Sequence, residues 1–177
     1  MNLSKQKKNF MAEIVQVMDS RRAFIDTLCE QAEKDDKIVL IIPDVGFNYV
    51  EKFSNKFPDR YFNLGITEQS VMVIAAAMAL SGLKPYVYSM VNFVVFRPYE
   101  MVRNAICMHN ANVKIFGVKG TQYSFYGFSH NLLYDREDID VLERLPNMKI
   151  YTADNPEEVR KTVEEIYKRE GPTYVRI

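Results

Sequence analysis

A carboxylate in the first turn of an apolar helix is the first group in this sequence with the means to do chemistry. Gly65-Ile66-Thr67-Glu68-Gln69 runs into Val71–Leu80, ten apolar residues in a row. Capping alone accounts for such an acid, because the helix dipole favours negative charge in a first turn. A carboxyl beside an apolar core, however, needs a hydrogen-bonding partner or a proton. A second candidate is Phe93-Val94-Val95-Phe96-Arg97-Pro98-Tyr99, with three aromatics at steps of three. They read either as core or as an apolar wall suited to stacking on a flat heterocycle. A third is Tyr126-Gly127-Phe128-Ser129-His130, a histidine next to a glycine-bearing turn that lets a ligand approach the backbone. Here too the plain alternative, a solvated loop histidine, stands beside the functional one.

The elements that must position these groups follow from the period of the apolar residues, which switches repeatedly between strand-like and helix-like. Strands are expected at Ile38–Ile42, Tyr61–Leu64, Pro85–Met90, Val113–Val118, Lys149–Thr152 and Thr173–Ile177. Helices are expected from Ser20, a candidate N-cap, over Tyr49–Phe57, after Thr67, over Pro98–His109 and Glu137–Leu145, and from Asn155-Pro156 to Gly171-Pro172. The helix after Thr67 is apolar almost all round, which predicts full burial. Residues 1–19 form an N-terminal arm or helix of unassigned role, with Phe10, Ile14 and Val17 at helical spacing. Residues 20–177 form one α/β domain of three layers, a mainly parallel sheet of five or six strands with helices on both faces. In such sheets ligands bind at the carboxyl ends of the strands. Asp44, the Gly65–Glu68 turn, Asn92–Arg97 and the Lys119–His130 loop all fall at that end.

Composition narrows the function. The chain has 177 residues, 47% hydrophobic and 26% charged, enough for one domain with a core. Lys plus Arg and Asp plus Glu are equal at 23 each, so no net field draws the chain to nucleic acid or an anionic membrane. The longest apolar run is about half of the roughly 20 residues that span a bilayer. Two distant cysteines, Cys29 and Cys107, give neither a disulfide scaffold nor a zinc site and fit a reducing cytoplasm. With only two histidines, His109 and His130, a histidine-rich metal site is excluded and no metal ligand is assigned to this chain. Gly-x-Gly-x-x-Gly, the P-loop and the Gly-x-Ser-x-Gly elbow are all missing, so nicotinamide, P-loop and ordinary hydrolase chemistry lose ground.

Taken in order, Tyr61–Gln69, the Ala-rich helix, Ser81-Gly82-Leu83-Lys84-Pro85, Arg97–Asn104, Glu137-Asp138 to Leu145-Pro146-Asn147-Met148, Ala153–Glu158 and Gly171-Pro172-Thr173-Tyr174-Val175-Arg176 form a recognisable set. It resembles the pyrimidine-binding domain of transketolase-like thiamine diphosphate enzymes over roughly residues 20–177. The resemblance implies that Glu68 is the catalytic glutamate. That residue hydrogen-bonds the cofactor's aminopyrimidine and favours the imino tautomer that deprotonates the thiazolium. It implies that Phe93, Phe96 and Tyr99 surround the pyrimidine and that Asp44 lies near the cofactor. It gives His130 a catalytic role at the donor sugar and the reaction intermediate. Where the family loop reads Asp-Gly-x-Thr-His, this chain has Tyr126-Gly127-Phe128-Ser129-His130, which puts an ordinary pentose phosphate in doubt and makes Tyr126 a substrate residue. Lys119 is the candidate for attracting an acidic or phosphorylated substrate.

The family's Gly-Asp-Gly segment, which holds magnesium and diphosphate, is not in this sequence. The resemblance therefore implies a diphosphate-binding partner chain or domain that carries Mg2+, a two-fold hetero-oligomer, and no activity of this chain alone. The start at Met1 favours a subunit of a split transketolase over an excised domain. Two alternatives remain: a beta-type subunit of a 2-oxo acid dehydrogenase, and a non-catalytic assembly module that kept the fold.

Overall fold

The computed structural model describes residues 3–120 and 129–177. Six strands, β1 (Ile38–Ile42), β2 (Tyr61–Asn63), β3 (Lys84–Met90), β4 (Lys114–Val118), β5 (Lys149–Thr152) and β6 (Thr173–Arg176), form one sheet in the order β2-β1-β3-β4-β6-β5. Every neighbouring pair is parallel. β1, β3 and β4 are buried on both faces for most of their length, which is why they read as continuous apolar runs.

The helices are α1 (Leu3–Ala32), α2 (Glu51–Lys56), α3 (Glu68–Leu80), α4 (Val91–Val94), α5 (Tyr99–Met101), α6 (Glu137–Leu142) and α7 (Pro156–Tyr167). Phe24, Leu28, Phe53, Val159 and Val163 from α1, α2 and α7 bury one face of the sheet with Tyr86, Tyr88 and Phe116. Val71, Ala75, Val91 and Leu142 from α3, α4 and α6, with Val102 just after α5, bury the other with Ile41, Val87 and Ile115. The side each helix takes follows from handedness. From β1 to β2 the chain moves one way along the sheet, and from β2 to β3 it returns across β1. A right-handed crossover then puts α2 and α3 on opposite faces. The carboxyl ends of β1 and β3 therefore flank the point where the strand order reverses, the usual crevice of an open parallel sheet.

Three expectations change. The helix that was to begin at Ser20 is continuous from Leu3, and Ser20 is not its cap but a buried residue within it. No glycine or proline interrupts Leu3–Ala32, and Gln16 ties the arm to the backbone carbonyl of Asp154. The helix after Thr67 is not buried all round: Val71, Met72, Ala75 and Ala76 are, whereas Val73 and Leu80 are 44% and 62% exposed. The single helix over Pro98–His109 is α5 continued by a π-helical stretch, Val102–Cys107, and a separate short turn, α4, precedes it.

Local signals hold elsewhere. Asn155 caps α7 by accepting from Glu158 N at 2.9 Å, behind a proline at the first turn. Gly82 (φ +94°) closes α3, where Leu83 N donates to Met78 O and Gly82 N to Ala79 O, both at 3.0 Å. On β4, Gly117 leaves room for the Tyr174 ring. A Cβ there would lie 2.7 Å from the Tyr174 hydroxyl.

Candidate active site

Glu68 opens α3 directly after the β2 strand end and is 8% exposed. The helix dipole contributes about 0.3–1 kcal/mol to holding its negative charge. Thr67 does not cap with its side chain; its Oγ1 donates back to Leu64 O at 2.8 Å, which fixes the turn into the helix. Glu68 Oε1 accepts from Arg97 Nη1 at 2.5 Å. That guanidinium comes from the turn between α4 and α5, and it also lies 4.0 Å from the centroid of the Phe93 ring. Phe93 in turn meets the His130 ring edge-on, centroids 4.8 Å apart, and His130 Nδ1 is hydrogen-bonded to Ser129 Oγ at 2.7 Å. Ile66, Thr67, Glu68, Gln69, Ser70 and Arg97 line a surface depression of about 440 Å³.

Glu68, Phe93 and His130, read separately from the sequence, are thus joined in one chain of contacts through Arg97. Arg97 had no chemical role in that reading. Its one sequence signal is a charged residue set in an otherwise apolar, aromatic stretch. Asn63 was missed too. Its Oδ1 accepts from Asp44 N at 3.1 Å and from Gly65 N at 3.0 Å, while its Nδ2 donates to Asp44 Oδ1 at 3.1 Å. This amide holds Asp44 at a positive φ of 52° and ties the ends of β1 and β2 together.

The remaining candidates are held by other neighbours. Phe96 and Tyr99 pack against the α3–α6 core, and the Tyr99 hydroxyl donates to Val141 O at 3.1 Å. Lys119, beyond β4, is ion-paired with Asp135, and this partner holds the Asp135 carboxyl below its usual range. Lys119 also borders a separate 270 Å³ cavity with Asn131, Leu132 and Asp135. Gly120 crosses close to the other arm of this loop; a Cβ there would run into His130 O. Below the loop, buried Asp138 accepts from the Tyr174 hydroxyl at 2.5 Å and from Arg176 Nη1 at 3.2 Å. Burial beside this carboxylate pushes the Tyr174 phenol well above its usual range. Tyr126 lies outside the described residues.

A mostly buried carboxylate at a helix start, opening on a depression with an aromatic face nearby, has the donor set and size to take an aminopyrimidine ring. The sequence match extends over almost the whole of this architecture. Residues 16–177 match the model for the transketolase pyrimidine-binding domain. The chain belongs to that family. A putative transketolase C-terminal section from Methanocaldococcus jannaschii is 30% identical over 89% of this chain and 49% of its own length. One of the subunits of an apulose-4-phosphate transketolase from Phocaeicola vulgatus is 35% identical over 89% of this chain and 50% of its own. Among solved structures, a split-gene transketolase described as an inactive beta4 tetramer superposes with a TM-score of 0.78 at 32% identity. That match covers 89% of this chain and 50% of the other. The transketolase-family chain thus spans about half the length of these relatives. Family membership brings thiamine diphosphate as the implied cofactor. Among the described residues there is no cluster of three or more His, Cys, Asp or Glu side chains that could hold a metal ion. Nor is any described helix long and apolar enough to cross a membrane.

Proposed function

We infer that this chain is the pyrimidine-binding part of a thiamine diphosphate-dependent transketolase. It works with a diphosphate-binding partner subunit in a two-fold hetero-oligomer. The assembly moves a two-carbon ketol unit between sugar or sugar phosphate substrates, and this chain alone is inactive. The observation that carries the reading is Glu68, 8% exposed at the start of α3 and facing a depression with room for a ring. Thiamine diphosphate, when bound, supplies the carbanion chemistry of two-carbon transfer. Glu68 holds or donates a proton at the ring nitrogen opposite the amino group, and the low dielectric around it strengthens that bond. Phe93 adds apolar surface beside the ring, and Phe96 and Tyr99 are assigned to the same aromatic wall. Asp44, fixed by Asn63, stands at the neighbouring strand end. His130, against the Phe93 edge, is within reach of a substrate bound over that ring. Tyr126 and Lys119 are assigned to substrate recognition on the loop. The partner holds diphosphate and Mg2+. A cytoplasmic location fits two free, buried cysteines.

The test is calorimetric titration of thiamine diphosphate and magnesium into this chain, into a diphosphate-binding subunit, and into their mixture. Tight binding only in the mixture supports the reading. Turnover then has to appear with ketose phosphate donors, and Glu68→Gln has to lower it by orders of magnitude. Turnover of 2-oxo acids instead of ketoses identifies the dehydrogenase alternative. A mixture that binds cofactor but turns nothing over leaves an assembly module.

A further inference from the structure

We propose that Arg97 is a displaceable cap on Glu68, so that the carboxylate is held closed against an aminopyrimidine until the guanidinium lets go of it. The inference rests on the reading of Glu68 as the pyrimidine-binding acid. Three observations carry it. First, Arg97 Nη1 occupies Glu68 Oε1 at 2.5 Å, one of the two atoms through which the acid could bond a heterocycle. Secondly, Glu68 needs no arginine for charge balance, since the first turn of a thirteen-residue helix already favours a carboxylate. Thirdly, the two partners differ in exposure. The Glu68 side chain is 10% exposed and anchored in the helix, whereas that of Arg97 is 45% exposed at the rim of the depression.

Arg97 also has somewhere to go. Its guanidinium already sits 4.0 Å from the Phe93 centroid, so it can give up the carboxylate and keep the aromatic contact. The same Phe93 edge meets His130, so a shift of Arg97 changes the surroundings of two site residues at once. A half-exposed guanidinium on a buried carboxylate is bound strongly enough to be ordered and weakly enough to be exchanged.

The experiment uses the full chain and a neutral probe, the free aminopyrimidine alcohol that corresponds to the ring half of thiamine, followed by NMR titration. Arg97→Met should bind the probe about fivefold more tightly than the unmodified chain, the equivalent of one half-exposed ion pair. Arg97→Lys should fall between them, and adding Glu68→Gln to Arg97→Met should abolish the gain. A double-mutant cycle on urea unfolding with Glu68→Gln and Arg97→Met tests the pair without any ligand. No coupling in that cycle overturns the cap. Coupling with equal probe affinity in the unmodified and Arg97→Met chains also overturns it, and leaves the function of Glu68 standing. Coupling with no probe binding to Arg97→Met overturns both the cap and the pyrimidine reading.

Discussion

Two arginine–carboxylate pairs sit at the carboxyl edge of this sheet, and they are built to opposite ends. Asp138 is fully buried, one oxygen taken by the Tyr174 hydroxyl and the other by Arg176, whose side chain is 9% exposed. Glu68 is 8% exposed, and its partner Arg97 is 45% exposed at the rim of an open depression. The charge types are the same. What separates them is whether water or a ligand can reach the arginine. In the β4–β6 half the acid is consumed by the fold. In the β1–β3 half it is left where a second molecule can compete for it.

Removing the buried acid is the most severe way to probe this contrast. Asp138→Ala takes the buried carboxylate from Arg176, leaving it only the exposed Asp135 at 3.9 Å, and should cost about 3–5 kcal/mol in guanidinium unfolding. A loss below about 1 kcal/mol would mean that Asp138 is as replaceable as a surface ion pair, and the contrast would fall. Tyr174→Phe removes one hydrogen bond to a charged group and should cost about 1.5–3 kcal/mol by the same assay. An unchanged midpoint would show that Arg176 alone satisfies the carboxylate. Glu68→Gln should change stability least, by no more than about 1 kcal/mol, because Arg97 is free to turn to water. A thermal midpoint as low as that of Asp138→Ala would place Glu68 among the structural acids.

Much of this architecture was legible because its signals are local. Ile38–Ile42 is an unbroken β-branched and leucine run and became β1 with the same limits. Asn155-Pro156 carries both the cap and the first-turn residue of α7. The misreadings arise where tertiary packing decides. Ser20 has the chemistry of a cap, but the helix around it contains no breaker and the core covers it. In α3 nearly every position is apolar, so no periodicity marks the face that holds Val73 and Leu80. At the site, Glu68 stood out by its position before an apolar helix. Arg97 did not, because its partner is 29 residues away in sequence and the contact exists only once β2 and β3 flank β1. Asn63 and Asp44 are likewise 19 residues apart, joined only by strand pairing.

The close approach of the Tyr174 ring to Gly117 has a historical consequence. The Tyr174 ring lies where any side chain at 117 would have to go, and its hydroxyl would sit 2.7 Å from the new carbon. A descendant lineage that loses the ring first passes through a chain with a cavity in its core and one hydrogen bond fewer, which a larger residue 117 can then fill. In the reverse order the intermediate carries the steric clash and the displaced hydroxyl together. Neither position is therefore free to change without the other, and each acts as a ratchet on its neighbour's freedom to vary.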